Sequence, residues 1–218
     1  MFFKGDPVKV IGHVATETIE ELYDTTFEKF NDKWVKRSFA LMDESYCLKA
    51  MTPSNFDKLN SEDEIQLREL LLPLITPYIS ENEVLVYLDI SALPPGAKCK
   101  VHLDFSLFHI LSRRIHIPIS TNPNATFSLL SESGSKTYNL KVGSVYEINN
   151  TVLHVVSNAG DSPRWHIIAD IIDKSLYNYL ISENKMNDWG LHPSINNCIN
   201  PKVIAHLESS LTSNPIDI

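Results

Sequence analysis

His102 and Asp104 stand one residue apart in Val101-His102-Leu103-Asp104-Phe105, and His154 follows about fifty residues later. If the first segment is a strand, side chains at i and i+2 leave the same face, so an imidazole and a carboxylate project together. Two histidines and one carboxylate form the facial donor set that holds non-haem Fe(II), leaving the opposite coordination positions open for substrate and O2. A His-x-Asp pair alone occurs by chance, often as a surface hydrogen bond, so the pattern needs a second feature. Arg164, ten residues after His154, supplies it. It opens Arg164-Trp165-His166-Ile167-Ile168-Ala169-Asp170-Ile171-Ile172, a largely apolar run with β-branched residues that predicts a strand. A guanidinium on a buried strand is costly to desolvate unless it meets an anion, and its planar fork suits a carboxylate. The plainer alternative is an Arg that reaches the rim or pairs with a structural acid. Taken together, the triad and the clamp point to a dicarboxylate cosubstrate bound near the iron.

These residues need a scaffold that brings separate strands together. From Val84 onward the sequence predicts strands at Val84–Ile90, Cys99–Phe105, Arg114–Ser120, Thr126–Ser131, Thr137–Val142, Val145–Ile148, His154–Asn158 and Arg164–Ile171. The gaps, such as Leu93-Pro94-Pro95-Gly96 and Ser133-Gly134-Ser135, are turn-like. About eight short strands with no helices between them predict a mainly β fold with flanking helices, its core a double-stranded β-helix of the jelly-roll or cupin kind. Ligand sites form in the mouths of such barrels. The expected organisation is a single domain with an N-terminal helical flank over 1–83, the oxygenase core over 84–172 and a C-terminal helical extension over 173–218.

In the flank, Val8 to Ile11 predicts a short strand. Thr16 to Phe30 predicts a helix with Ile19, Leu22, Tyr23, Phe27 and Phe30 on one face. A capping box, Ser61 with Glu64, starts a second helix that Pro73 should kink or end. Trp34, Phe39 and Tyr46 are core or lid residues. A helix is expected after Asp173, and another over Pro201 to Leu211.

The 218 residues carry a formal net charge of −8, which argues against nucleic acid or an anionic membrane as the main partner. Three widely spaced cysteines, Cys47, Cys99 and Cys198, suit free thiols in a reducing compartment. The first residues do not form a signal peptide and no apolar run approaches bilayer length, so the expected place is the cytoplasm.

The motifs in order are Ser91-x-Leu93-x-Pro95-Gly96, His102-x-Asp104, Arg114-x-His116, Gly143-x-Val145 and His154-x10-Arg164. This order resembles the aspartyl/asparaginyl β-hydroxylase family of 2-oxoglutarate oxygenases, which includes proline hydroxylases acting on the free amino acid. The resemblance covers about Val84 to Ile172. It implies that His102, Asp104 and His154 bind Fe(II); some members lack the carboxylate, which this chain keeps. It implies that Arg164 grips the distal carboxylate of 2-oxoglutarate with Ser91 as companion, and that Arg114 and His116 lie near its iron-binding carboxylate. Strand alternation favours Arg114 over Arg113, though a bulge would swap them. The implied reaction consumes O2 and 2-oxoglutarate, releases succinate and CO2, and hydroxylates an amino acid or a residue in a peptide or protein.

The remaining histidines His13, His109, His192 and His206 read as surface or loop residues. His166, two residues after Arg164, can face the same cavity, whereas Trp165 should pack on the other side. Tyr87 and Tyr146 can line the pocket, but packing is the expected role of each. Two other classes compete: a non-catalytic cupin-like domain binding a metal or small molecule, and a zinc hydrolase using two His and one carboxylate. Neither has a use for a carboxylate clamp ten residues beyond the last ligand.

Overall fold

The computed structural model describes residues 6–30, 35–36, 46–51, 62–104, 107–131, 134–182 and 216–217. In chain order the strands are β1 (Val8–His13), β2 (Val35–Lys36), β3 (Tyr46–Met51), β4 (Glu83–Leu93), β5 (Arg113–Ser120), β6 (Ala125–Ser131), β7 (Gly134–Asn139), β8 (Ser144–Ile148), β9 (His154–Asn158), β10 (Arg164–Asp173) and β11 (Ile216–Asp217). The helices are α1 (Thr16–Phe30), α2 (Glu62–Ile75), α3 (Leu107–Leu111) and α4 (Lys174–Ser182). Two sheets form a jelly roll. One runs β1-β8-β5-β10-β4-β3-β2 and the other β11-β7-β6-β9.

β10 lies between β5 and β4, antiparallel to both, and its alternation separates two environments. Trp165, Ile167 and Ala169 point outward, with Ile115 and Ile117 of β5 and Leu88, Ile90 and Ala92 of β4. There they pack with Ile19, Leu22 and Phe30 of α1 and Leu67, Leu71 and Ile75 of α2. The apolar periodicity of both helices exists to cover this face. Each fully buried aliphatic side chain contributes about 1.5–3 kcal/mol.

The other face is polar. Residues paired across a ladder share a face. The register Ser91↔His166, Asp170↔Tyr87, Ile168↔His116 and Asp170↔Arg114 therefore places Ser91, Tyr87, His116, Arg114, His166, Asp170 and Arg164 on one surface. Tyr146 pairs with His116 and packs against Phe127, Leu129 and Tyr138 of the second sheet. The polar surface thus looks into the space between the sheets.

Several expectations need revision. Of the predicted strand Cys99–Phe105, the described residues 99–104 do not form a regular strand. The segment pairs with β9 through the isolated bridges Lys98↔Ser157 and His102↔His154, with the Cys99 N–H donating to the Val156 carbonyl between them at 2.8 Å. From Lys98 to His102 is four residues, while Ser157 to His154 is three, so one residue is extra and the segment bulges. A short helix, α3, follows it where none was expected. The N-terminal flank supplies β1, β2 and β3 to the large sheet as well as its helices. Pro73 sits inside α2, which runs two residues further before a 3-10 turn at Thr76–Tyr78. The predicted cap Ser61, the aromatics Trp34 and Phe39, and the helix over 201–211 lie outside the described residues. No described helix is long and apolar enough to cross a membrane.

Candidate active site

The bulge and β9 bring the two histidines face to face. His102 and His154 exchange backbone hydrogen bonds of 3.0 and 2.8 Å, and their ring centroids are 4.2 Å apart. Each ring is held by its own chain. His102 Nδ1 donates to the carbonyl of Lys100 at 2.7 Å, and His154 Nδ1 to that of Val152 at 2.8 Å. A carbonyl can only accept, so both Nδ1 atoms carry the proton and both Nε2 lone pairs face the cavity. Asp104 Oδ1 lies 3.7 Å from His102 Nε2. One donor atom from each of His102, Asp104 and His154 falls within 4.8 Å of the others, near enough to converge on a single ion.

The protonation states suit a divalent metal, which needs neutral imidazoles and an ionised carboxylate. Burial, with His102 adding to it, pushes the His154 imidazole down to about 4 despite the pull of Asp104. Burial disfavours the Asp104 carboxylate, but Arg114, followed by His109, His154 and His102, more than offsets this and holds it well below the usual carboxylate range. Asp104 Oδ2 accepts from Arg114 Nη1 at 2.6 Å and from Asn150 Nδ2 at 3.0 Å, leaving Oδ1 for the cluster.

Arg114 does face the cavity, but its fork is turned to carboxylates of the protein. Nε and Nη2 donate to the two oxygens of Asp170, both at 2.7 Å, and Nη1 donates to Asp104. Asp170 is fully buried. Arg113 faces the opposite way, as alternation requires, and binds Glu83 and Glu147. The bulge that was to swap the two does not occur between them.

Deeper in the barrel the balance of charge is different. Arg164 is 5% exposed, and among the described residues no carboxylate lies against it. Burial pushes its guanidinium down to about 10. Its Nη2 donates to His166 Nδ1 at 2.9 Å. His166 Nε2 and His116 Nδ1 are buried without a hydrogen-bond partner. Both rings are neutral, held well below the usual histidine value by burial first, with Arg164 adding to the effect on His166 and Arg114 and Arg164 on His116. His116 is near enough to Arg164 and His154 for both to act on its titration. Ser91 flanks His166 across the ladder. A buried cation and two orphaned ring nitrogens in one cavity fit a polar anionic ligand, because native proteins rarely leave such groups unsatisfied.

The family model for aspartyl/asparaginyl β-hydroxylase matches residues 17–174. The chain belongs to that family. It is a non-haem Fe(II) and 2-oxoglutarate-dependent oxygenase, with O2 as oxidant. No curated protein matches the chain by sequence. Its fold is similar to that of a Pseudomonas putida prolyl-4-hydroxylase, with a TM-score of 0.51 and 13% identity over 77% of this chain and 92% of that one. It is also similar to a prolyl hydroxylase from Trichoplax adhaerens in complex with a hypoxia inducible factor peptide fragment, with a TM-score of 0.56 and 11% identity over 78% and 86%. A third similar structure is HygX from Streptomyces hygroscopicus with nickel and 2-oxoglutarate bound, with a TM-score of 0.52 and 10% identity over 77% and 83%. At these identities the likeness is one of fold, and the family assignment rests on the sequence match.

Of four further residues at the site, three escaped the sequence and Tyr87 reads there as packing or lining the pocket. Asp170 was legible only as one polar residue in an apolar strand, where a buried acid demands a cation; Arg114 at i, i+2 from His116 was its visible partner. Asn150 sits in the turn before His154. Tyr87 donates to Asp89 on the same polar face. His109, expected at the surface or in a loop, lies in α3 close enough to Asp104 and Arg114 for each to act on its titration.

Proposed function

We propose that this oxygenase hydroxylates an amino acid, free or within a peptide or protein, and converts 2-oxoglutarate to succinate and CO2 as it does so. The observation that carries the reading is the buried guanidinium of Arg164, against which no described carboxylate lies, on the same sheet face as Arg114, the arginine that binds Asp104 of the His102, Asp104 and His154 cluster. His102 Nε2, His154 Nε2 and Asp104 Oδ1 are the metal-binding atoms in this reading. Arg164 grips the distal carboxylate of 2-oxoglutarate, with Ser91 beside it, and His116 lies along the cosubstrate toward the metal. Arg114, which the sequence resemblance put on the cosubstrate, instead fixes the rotamer of Asp104.

Iron held by His102, Asp104 and His154 would activate O2, with 2-oxoglutarate as the two-electron reductant that leaves as succinate and CO2. The chain's own residues supply geometry. The two carbonyls on Nδ1 lock the imidazoles in the tautomer that presents Nε2. Arg114 and Asn150 hold one oxygen of Asp104 so that the other faces the cluster. Arg164 is itself buried, so its guanidinium is shielded from water, which strengthens its hold on a carboxylate. The neighbouring folds are described with prolyl substrates or peptides, which supports an amino acid side chain as the target class. The buried thiol of Cys99, which is in no disulfide, accords with the cytoplasm as the place of action.

The test is succinate release with Fe(II) and 2-oxoglutarate across free amino acids and peptides, with products weighed for an added oxygen. In an Arg164→Ala variant the requirement for 2-oxoglutarate rises while metal binding survives. Normal turnover of that variant at low cosubstrate would refute the clamp.

A further inference from the structure

The guanidinium of Arg164 has donors only, and it meets His166 at Nδ1, 2.9 Å away. Nδ1 must therefore be the accepting nitrogen, and the neutral ring must carry its proton on Nε2. That Nε2–H is buried, His166 being 0% exposed, and has no partner. An orphaned donor in such a place costs roughly 1–3 kcal/mol unless something accepts from it. Asp170, Asp104 and the Tyr87–Asp89 pair already have their own partners on this face, and the ring nearest His166 is the edge-on His116 at 5.9 Å. Arg164 and His166 share a strand face at i, i+2, and Ser91 is paired directly opposite His166.

We propose that His166 is a second cosubstrate-binding residue, whose Nε2–H donates to the distal carboxylate of 2-oxoglutarate alongside the Arg164 fork. Arg164 thereby has two functions: it binds the carboxylate itself, and it selects the His166 tautomer that can bind as well. The selectivity this confers is for a terminal carboxylate over an apolar end. The inference rests on the 2-oxoglutarate reading of the pocket and adds a residue to it.

The test is calorimetric titration of 2-oxoglutarate, and separately of 2-oxopentanoate, into the full chain loaded with Zn(II), which requires no turnover. 2-Oxopentanoate has the same carbon chain without the distal carboxylate. In His166→Leu, 2-oxoglutarate binding weakens about ten- to a hundredfold, the range of a hydrogen bond to a charged group, while 2-oxopentanoate binding is unchanged. His166→Gln, whose amide can both accept from Arg164 and donate to a carboxylate, keeps most of the affinity. Spectra of wild-type protein labelled with 15N-histidine show His166 as the Nε2–H tautomer, a readout independent of any variant's folding. Unchanged 2-oxoglutarate affinity in His166→Leu overturns the proposal, as does an equal loss for both ligands or an Nδ1–H tautomer. Wild-type protein that fails to bind 2-oxoglutarate at all would instead strike the pocket assignment on which the proposal stands.

Discussion

Asp170→Asn isolates the link between the buried network and the metal cluster. Asp170 is fully buried, and its two oxygens accept from Arg114 at 2.7 Å each. The amide has the same shape, but it sets an N–H against an N–H and removes one of the two carboxylates that balance Arg114. Breaking one side of a buried pair costs about 3–5 kcal/mol. In a protein of this size each kcal/mol shifts Tm by about 2–4 °C, so melting falls by roughly 6–20 °C. Arg114 is then less firmly placed, and with it Asp104, to which it donates at 2.6 Å. Residues that orient metal ligands typically change affinity by about 10–100-fold, and a loss in that range is expected for Fe(II) or Ni(II). Differential scanning calorimetry of metal-free protein and a metal titration measure the two effects. The double variant Arg114→Met with Asp170→Leu separates them: stability returns in part, because Arg114 is no longer left half-balanced, though Asp104 loses its own partner, and metal affinity stays low. If Asp170→Asn melts within 2 °C of wild type, taken as roughly the width of one kcal/mol, and binds metal equally, the network is not what holds Asp104.

Three further outcomes follow from the same structure. His102→Ala abolishes both metal binding and turnover, measured by metal content and succinate release, because two donors remain where three converged. Metal-free protein loses stability as the pH falls below about 6.5, the ordinary histidine value. His154, His116 and His166 are held neutral in the fold and are protonated more readily on unfolding, so the unfolded chain binds more protons in that window. For His154 the loss runs from about 6.5 down to about 4 and then levels. Urea unfolding at a series of pH values reads this, and a flat profile would contradict the burial of these rings. Leu71→Ala, at a fully buried position on α2, costs about 2–5 kcal/mol in the same assay and leaves the cosubstrate requirement unchanged, since it empties the opposite side of the sheet.

Much of the site was legible in one dimension because its chemistry is carried by residue type and spacing. His102, Asp104 and His154 are singled out that way and do lie together, and the alternation of β10 correctly sent Trp165 outward and Arg164 inward. Alternation also chose Arg114 over Arg113, since a strand without a bulge has only two faces. The apolar period of α1 announced a helix that covers a sheet, and the helix lies where it was expected.

What the sequence could not decide was who meets whom. The carboxylate partner of Arg114 is Asp170, fifty-six residues away and joined to it only by the β5–β10 register. The same register sets no described carboxylate against Arg164, and that difference is what singles it out from Arg114 as the arginine proposed to bind a ligand. The one-residue bulge before His102 is seen only in how the segment pairs with β9, which no local pattern records. Residue types set the available chemistry; strand register, a long-range choice made by packing and ladder hydrogen bonds, decided which charges are neutralised within the protein and which await a ligand.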